Sequence, residues 1–147
     1  MGRSDQDAVL EISLAPKSDY NGILALHHEA GWNPSRVDGE VWAAWEQGGL
    51  VGSVQFEEVG GPDLLFVRAM VVREDARGRG IGAKMFNEVM ATRAAEWWLE
   101  CRSERVNFYN RLGFHLVGNQ DIPPQVRGLV RRRTDRQENF MTKASIA

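Results

Sequence analysis

Apolar positions fall into short runs separated by glycine-rich and charged breaks, and the run that organises the rest lies mid-chain, over residues 64–95. From Leu64 to Val72 the chain is Leu, Val, Phe, Met and Ala, broken only by Arg68, which predicts a central strand buried on both faces. A charged turn follows. Gly78, Gly80 and Gly82 then open a segment in which Ile81, Met85 and Val89, and beside them Phe86, Met90 and Ala94, recur at helical spacing.

The flanking pattern is read in the same way. Residues 9–14 alternate as a first strand, Pro16 to Asp19 read as turn and helix cap, and 20–30 carry Ile23, Leu24 and Leu26 on a short helix. His27 and His28 on that helix are expected at a surface or cleft edge; adjacent residues point about 100° apart, so they cannot chelate together as an i, i+4 pair would. Residues 31–35 break the chain and expose Trp32, with a small second helix expected over 36–40. Residues 41–45 and 50–56 flank the turn 46–49 as a hairpin, and 57–63 turn the chain into the central strand. Residues 97–101 form a short strand, parallel to the central one through a right-handed crossover. A helix over 105–112 ends at Gly113 as a C-cap, a strand starts at 114–117, Pro123-Pro124 interrupt it, and 138–143 make the last strand. The fold class expected is mixed α/β (α+β): one domain over 1–147, a twisted mixed sheet with helices on both faces.

Composition narrows the function classes. With 147 residues, 43% of them hydrophobic, the chain can bury one ordinary core. A net charge of -2 provides no general attraction to nucleic acid or anionic membrane, although 127–136 is locally basic through Arg127, Arg131, Arg132, Arg133 and Arg136. The single Cys101 lies in an apolar run and reads as a small buried residue, which suits a reducing cytoplasm. Neither a signal-peptide core nor a membrane-length apolar run is present, so a soluble, unprocessed protein is expected. Expected partners are a small-molecule amine and no nucleic acid, membrane or metal; a homodimer is compatible with such a domain.

A strand that feeds a glycine-rich turn into a helix N-terminus is a device for holding phosphate, because the first helical N–H groups are unpaired and glycines let the backbone approach an anion. A Walker loop needs Lys-Ser or Lys-Thr after its last glycine, whereas Gly82 is followed by Ala83-Lys84-Met85. A dinucleotide fingerprint needs its first glycine nearer the strand and an acidic residue after a second strand, where only Glu100 is roughly placed. Arg77-Gly78-Arg79-Gly80-Ile81-Gly82 matches the R/Q-x-x-G-x-G pyrophosphate loop of the GNAT superfamily of N-acetyltransferases, and Phe108-Tyr109-Asn110-Arg111-Leu112-Gly113-Phe114 resembles that superfamily's FYxxLGF signature at the usual distance. The two motifs, in that order with strand and helix between them, make the chain similar to this superfamily over roughly 39–147.

The resemblance implies acetyl-coenzyme A as cofactor and acyl transfer to an amine. Arg77, Gly78, Arg79, Gly80, Ile81 and Gly82 would hold the pyrophosphate, with Ala83 beginning the helix behind them, and Met70, Val71 and Val72 would offer backbone groups to the pantetheine arm between two splayed parallel strands. Tyr109 matches the superfamily's general acid. Many members carry a glutamate base where this chain has Phe66, so Glu100 and Glu58 are the substitute candidates; Arg102 and Arg105 also depart from the superfamily's common form of the following helix. The N-terminal helical pair lines the acceptor site in that superfamily, which brings in Trp32 beside its reading as a cover for the core edge. Arg68, and Arg127 in Pro123-Pro124-Gln125-Val126-Arg127, are similar to features of the short bacterial N-acetylglutamate-synthase-like branch and suggest a carboxylate-bearing amine; an internal pair of Arg68 with Glu57, Glu58 or Glu100 is the other reading. A coenzyme A-binding regulatory module without turnover, or transfer to a protein N-terminus or lysine, stays open.

Overall fold

Seven strands form one sheet in the order β1-β2-β3-β4-β5-β7-β6. They are β1 Leu10–Leu14, β2 Glu40–Glu46, β3 Gly49–Glu58, β4 Leu64–Val72, β5 Ala95–Cys101, β6 His115–Val117 and β7 Asn139–Ser145. Four α-helices connect them: α1 Tyr20–Glu29, α2 Ile81–Met90, α3 Val106–Arg111 and α4 Pro124–Val130. The structure, a computed structural model, describes residues 9–32, 35–130 and 139–145. The basic residues Arg131, Arg132, Arg133 and Arg136, and Glu138 of the expected last strand, lie outside the described residues.

The described residues within 1–55 and 69–89 pack as one compact unit, and those within 56–68 and 90–147 as another. The division falls inside β3, inside β4 and at the end of α2.

In the first unit β1 pairs antiparallel with β2, Leu10 opposite Glu46 and Leu14 opposite Trp42. The β2–β3 hairpin closes on Gln47 and Gly48 alone, whose φ angles of 53° and 81° match the two left-handed positions of a type I′ turn. Ile23, Val41 and Ala43 form a core with Tyr20, Val37 and Trp45 packed against it. On α2, Ile81, Met85, Phe86 and Val89 are buried as the spacing predicts. Glycine at 52 suits the close approach of β4, since a Cβ there would stand 3.1 Å from the Val71 carbonyl oxygen, while the α2 side chain Met85, 3.5 Å away at Cε, would be in ordinary contact.

In the second unit β4 and β5 run parallel, with Leu64 opposite Glu96, Leu65 opposite Trp97 and Phe66 opposite Trp98. This ladder is short for strands of nine and seven residues, and β5 is carried on its other side by seven antiparallel pairs with β7. Phe66, Trp98, Ile122 and Val126 make the core, with Leu64 and Phe140 against it. Trp97 is fully buried, its ring edge-on to Phe56 and its Nε1 donating to Ser145 Oγ at 2.8 Å.

Several sequence expectations are corrected. Residues 35–38 are not helical; the chain runs irregularly into β2 there. Asp19 occupies the N-cap position of α1, but no side-chain cap bond forms, the preceding 3₁₀ turn over Lys17–Asp19 having already set the entry. His27 is buried rather than at an edge, because it stands one helical turn beyond Ile23 on the same face as Leu26. The central helix begins at Ile81, before Ala83, and stops short of the exposed Ala94. Pro123-Pro124 do more than interrupt a strand: Pro124 starts α4, proline being favoured at a first helical position where its missing N–H costs nothing.

Candidate functional site

Past β4, a 3₁₀ turn over Glu74–Ala76 leads to the glycine loop, and Gly78 and Gly80 both sit at φ 81°, a left-handed conformation that any side chain would strain. Lys84 N–H donates to the Gly80 carbonyl at 3.0 Å, so the preceding N–H groups of Ile81, Gly82 and Ala83 open α2 without a partner four residues back. A Cβ built on Gly78 or on Gly80 would meet nothing within 4 Å. Open space above a left-handed glycine backbone at a helix N-terminus fits a pyrophosphate.

The arginines of this loop have protein partners. Arg77 Nε donates to the Val72 carbonyl at 2.9 Å. Arg79 forks onto Glu46, Nη1 to Oε1 at 3.0 Å and Nη2 to Oε2. Those bonds hold the Glu46 carboxyl below the ordinary carboxylate range and raise Arg79 in turn. Upstream, Arg73 N–H donates to Val51 carbonyl at 2.7 Å, Arg73 Nη1 to Leu50 carbonyl at 3.1 Å, and Glu74 N–H to Glu29 Oε1 at 3.0 Å. Nothing in sequence links Glu46 to residue 79, and it was not a sequence candidate. Met70 and Val71 are buried at the end of β4 and Val72 is half-buried.

The second motif has its own local cause. Phe114 N–H donates to the Tyr109 carbonyl and Gly113 N–H to the Asn110 carbonyl, each at 3.0 Å, with Gly113 at φ 101°. This is a Schellman ending of α3, and its apolar contact is the Tyr109 ring against Phe114, centroids 5.8 Å apart. Lys143 Nζ donates to the Leu112 carbonyl at 2.6 Å, placing a cation at the helix C-terminus. Tyr109 is buried, and burial pushes its phenol up to about 12.

Phe66 is packed in the core with Trp98 and Val126. Glu58 is exposed at the end of β3, and Glu100 is half-buried on β5 opposite Phe140. Arg68 faces solvent and its Nη1 meets Glu57 Oε2 at 3.0 Å, one of the three internal pairs that the sequence left open beside a carboxylate-binding role. Trp32 is half-buried with its ring 5.2 Å from His27, and Arg127 Nη2 donates to the Asn119 carbonyl. Cys101 is buried against Met141, its thiol pushed up to about 11 by burial, so it is no nucleophile. Among the described residues no group of His, Cys, Asp and Glu could hold a metal ion.

Residues 37–116, more than half of the chain, match the family model of an acetyltransferase (GNAT) domain. The chain belongs to the GNAT acetyltransferase family. At low identity this chain shares its fold with solved structures of acetyltransferases. N-acetylglutamate synthase from Neisseria gonorrhoeae, complexed with coenzyme A and N-acetyl-glutamate, superposes at TM-score 0.79 and 16% identity over 96% of this chain, which spans 36% of that protein's length. A histone acetyltransferase HPA2 and related acetyltransferase from Corynebacterium glutamicum gives TM-score 0.68 and 21% identity, covering 94% and 97% of the two chains. Arabidopsis thaliana Naa50, in complex with the bisubstrate analogue CoA-Ac-MVNAL, gives 0.66 and 16%, covering 91% and 97%. Among curated protein sequences none matches this chain.

Proposed function

We propose that this acetyltransferase moves an acetyl group from acetyl-coenzyme A to the primary amine of a small carboxylate-bearing molecule such as an amino acid. The observation that carries the acceptor class is Arg68, a solvent-facing guanidinium on a strand whose neighbours Phe66, Val67 and Met70 are buried. A planar guanidinium recognises a carboxylate through two parallel hydrogen bonds, and Arg127 and Trp32 are proposed as further acceptor contacts. The N-acetyl-glutamate bound by the Neisseria enzyme is a product of this class, which supports the reading.

Acetyl-coenzyme A supplies an activated thioester. Backbone N–H groups from Gly78 to Ala83 would take its pyrophosphate, and Met70, Val71 and Val72 its amide-bearing arm. Tyr109, protonated at neutral pH with its phenol near 12, would donate a hydrogen bond to the sulfur as negative charge develops there. Full proton transfer from such a phenol to a thiolate of ordinary pKa about 8.5 is uphill, so the hydrogen bond is its main contribution. The incoming amine must be neutral, and Glu100 and Glu58 are the carboxylates proposed to receive its proton. The absence of the strand glutamate at Phe66 leaves a binding module without turnover as the competing reading; release of free thiol from acetyl-coenzyme A on addition of an amine separates the two.

The acceptor is tested with a matched pair, an amino acid and its decarboxylated amine. Arg68→Lys is expected to lower kcat/KM for the amino acid about tenfold or more while sparing the amine, since lysine lacks the fork. Equal losses would show that Arg68 serves only Glu57. A peptide N-terminus preferred over every free amino acid would point instead to the peptide acceptor of the Naa50 complex.

A further inference from the structure

Arg79 stands between two left-handed glycines, and its guanidinium is turned onto the Glu46 carboxylate in a two-bond fork. We infer that Glu46 is a positioning residue for the cofactor loop, acting through Arg79 to hold the glycine half of that loop in its anion-binding shape. The inference rests on reading Arg77 to Gly82 as the pyrophosphate loop. Glycine loses more conformational freedom on ordering than any other residue, so a loop with left-handed glycines at 78 and 80 is better defined when a contact from outside holds it. The residues before the glycines are held by other means: Arg73 by the Val51 and Leu50 carbonyls, Glu74 by the Glu29 carboxylate, and Arg77 by the Val72 carbonyl. Within the glycine half the Gly80 carbonyl takes the Lys84 N–H of α2, and the Arg79 side chain ties the loop to a partner on a stiff platform. Glu46 ends β2 and enters a two-residue turn whose backbone is set by φ angles of 53° and 81°.

The fork also decides where the anion's stabilisation comes from. With both carboxylate oxygens engaged by one guanidinium, the Arg79 charge is locally neutralised, and binding rests on backbone N–H groups and the α2 N-terminus. The alternative, in which Glu46 merely competes with the pyrophosphate for Arg79, predicts the opposite sign when Glu46 is removed. Calorimetric dissociation constants for coenzyme A should therefore be compared in wild type, Glu46→Gln, Arg79→Gln and the double variant, with KM for acetyl-coenzyme A and for S-acetylpantetheine, which lacks the pyrophosphate. Positioning predicts that each single variant weakens coenzyme A by about fivefold to tenfold and that the double is no weaker than either, as for residues acting as one unit. KM for acetyl-coenzyme A rises relative to KM for S-acetylpantetheine, and the reversed pair, Glu46→Arg with Arg79→Glu, restores affinity. Unchanged or tighter binding by Glu46→Gln, a much larger loss in Arg79→Gln, or equal losses for both acyl donors would overturn the positioning role. Failure of wild type to bind coenzyme A would instead overturn the cofactor reading itself.

Discussion

At Tyr109 a packing role and a chemical one fall on the same ring. The ring closes the Schellman ending of α3 against Phe114 and lies 5.0 Å from Phe108, so part of the signature around it is explained by helix termination alone. The hydroxyl is what distinguishes the two roles, and Tyr109→Phe removes it while leaving the ring contacts. Turnover in that variant is expected to fall about 10²-fold, the loss typical of one donor to developing charge, with coenzyme A affinity nearly unchanged. Near wild-type turnover, read in a thiol-release assay, would assign Tyr109 to packing and the sulfur's stabilisation to another group.

Among the elements, the β4–loop–α2 unit has the strictest backbone demands. Gly78 and Gly80 combine a left-handed φ with open space above them, so substitution there acts through backbone strain and through whatever occupies that space. Coenzyme A at saturating concentration is expected to raise the melting temperature of wild type, because a ligand bound only to the native state stabilises it by mass action. Gly80→Asp should abolish that rise by placing a side chain and a negative charge where the pyrophosphate approaches. A thermal-shift titration of both proteins decides it: an undiminished shift in the variant would move the cofactor's phosphates away from this loop.

For the molecule as a whole, acid stability turns on a group that the fold buries. His27 Nδ1 lies 2.7 Å from Ser35 Oγ, its Nε2 has no partner among the described residues, and burial, with the neighbouring His28, lowers its pKa from 6.5 to about 4. The unfolded chain therefore binds this proton more readily than the folded one. Stability is fully present well above pH 6.5 and is lost as pH falls through 6.5 towards 4, by on the order of 3 kcal/mol from this residue. Denaturant melts of wild type and His27→Gln across that window should diverge, the variant lacking this part of the acid loss. Parallel curves would show that His27 titrates normally. Among the described residues no helix is long and apolar enough to cross a membrane.

Local pattern was enough for the strand from Leu64 to Val72, the glycine-opened helix with Ile81, Met85 and Val89 inward, the hairpin with its turn within 46–49, which the structure narrows to Gln47-Gly48, and the C-cap at Gly113. In each, periodicity or a required φ angle is a property of a few consecutive residues, and the two motifs that mark the family lie on these segments. The α4 helix was hidden because its seven residues carry too few apolar positions to show a period, and its only signal was a proline that also reads as a break. Partners distant in sequence were settled by tertiary structure alone. Glu57 was one of three acids open to Arg68, and Glu46 lies 33 residues from Arg79 with no pattern to join them. An ion pair needs only that the fold bring two flexible side chains within reach, a condition that neither composition nor spacing encodes. The burial of His27 was decided the same way, by which face of α1 met the core formed around Ile23, Val41 and Ala43.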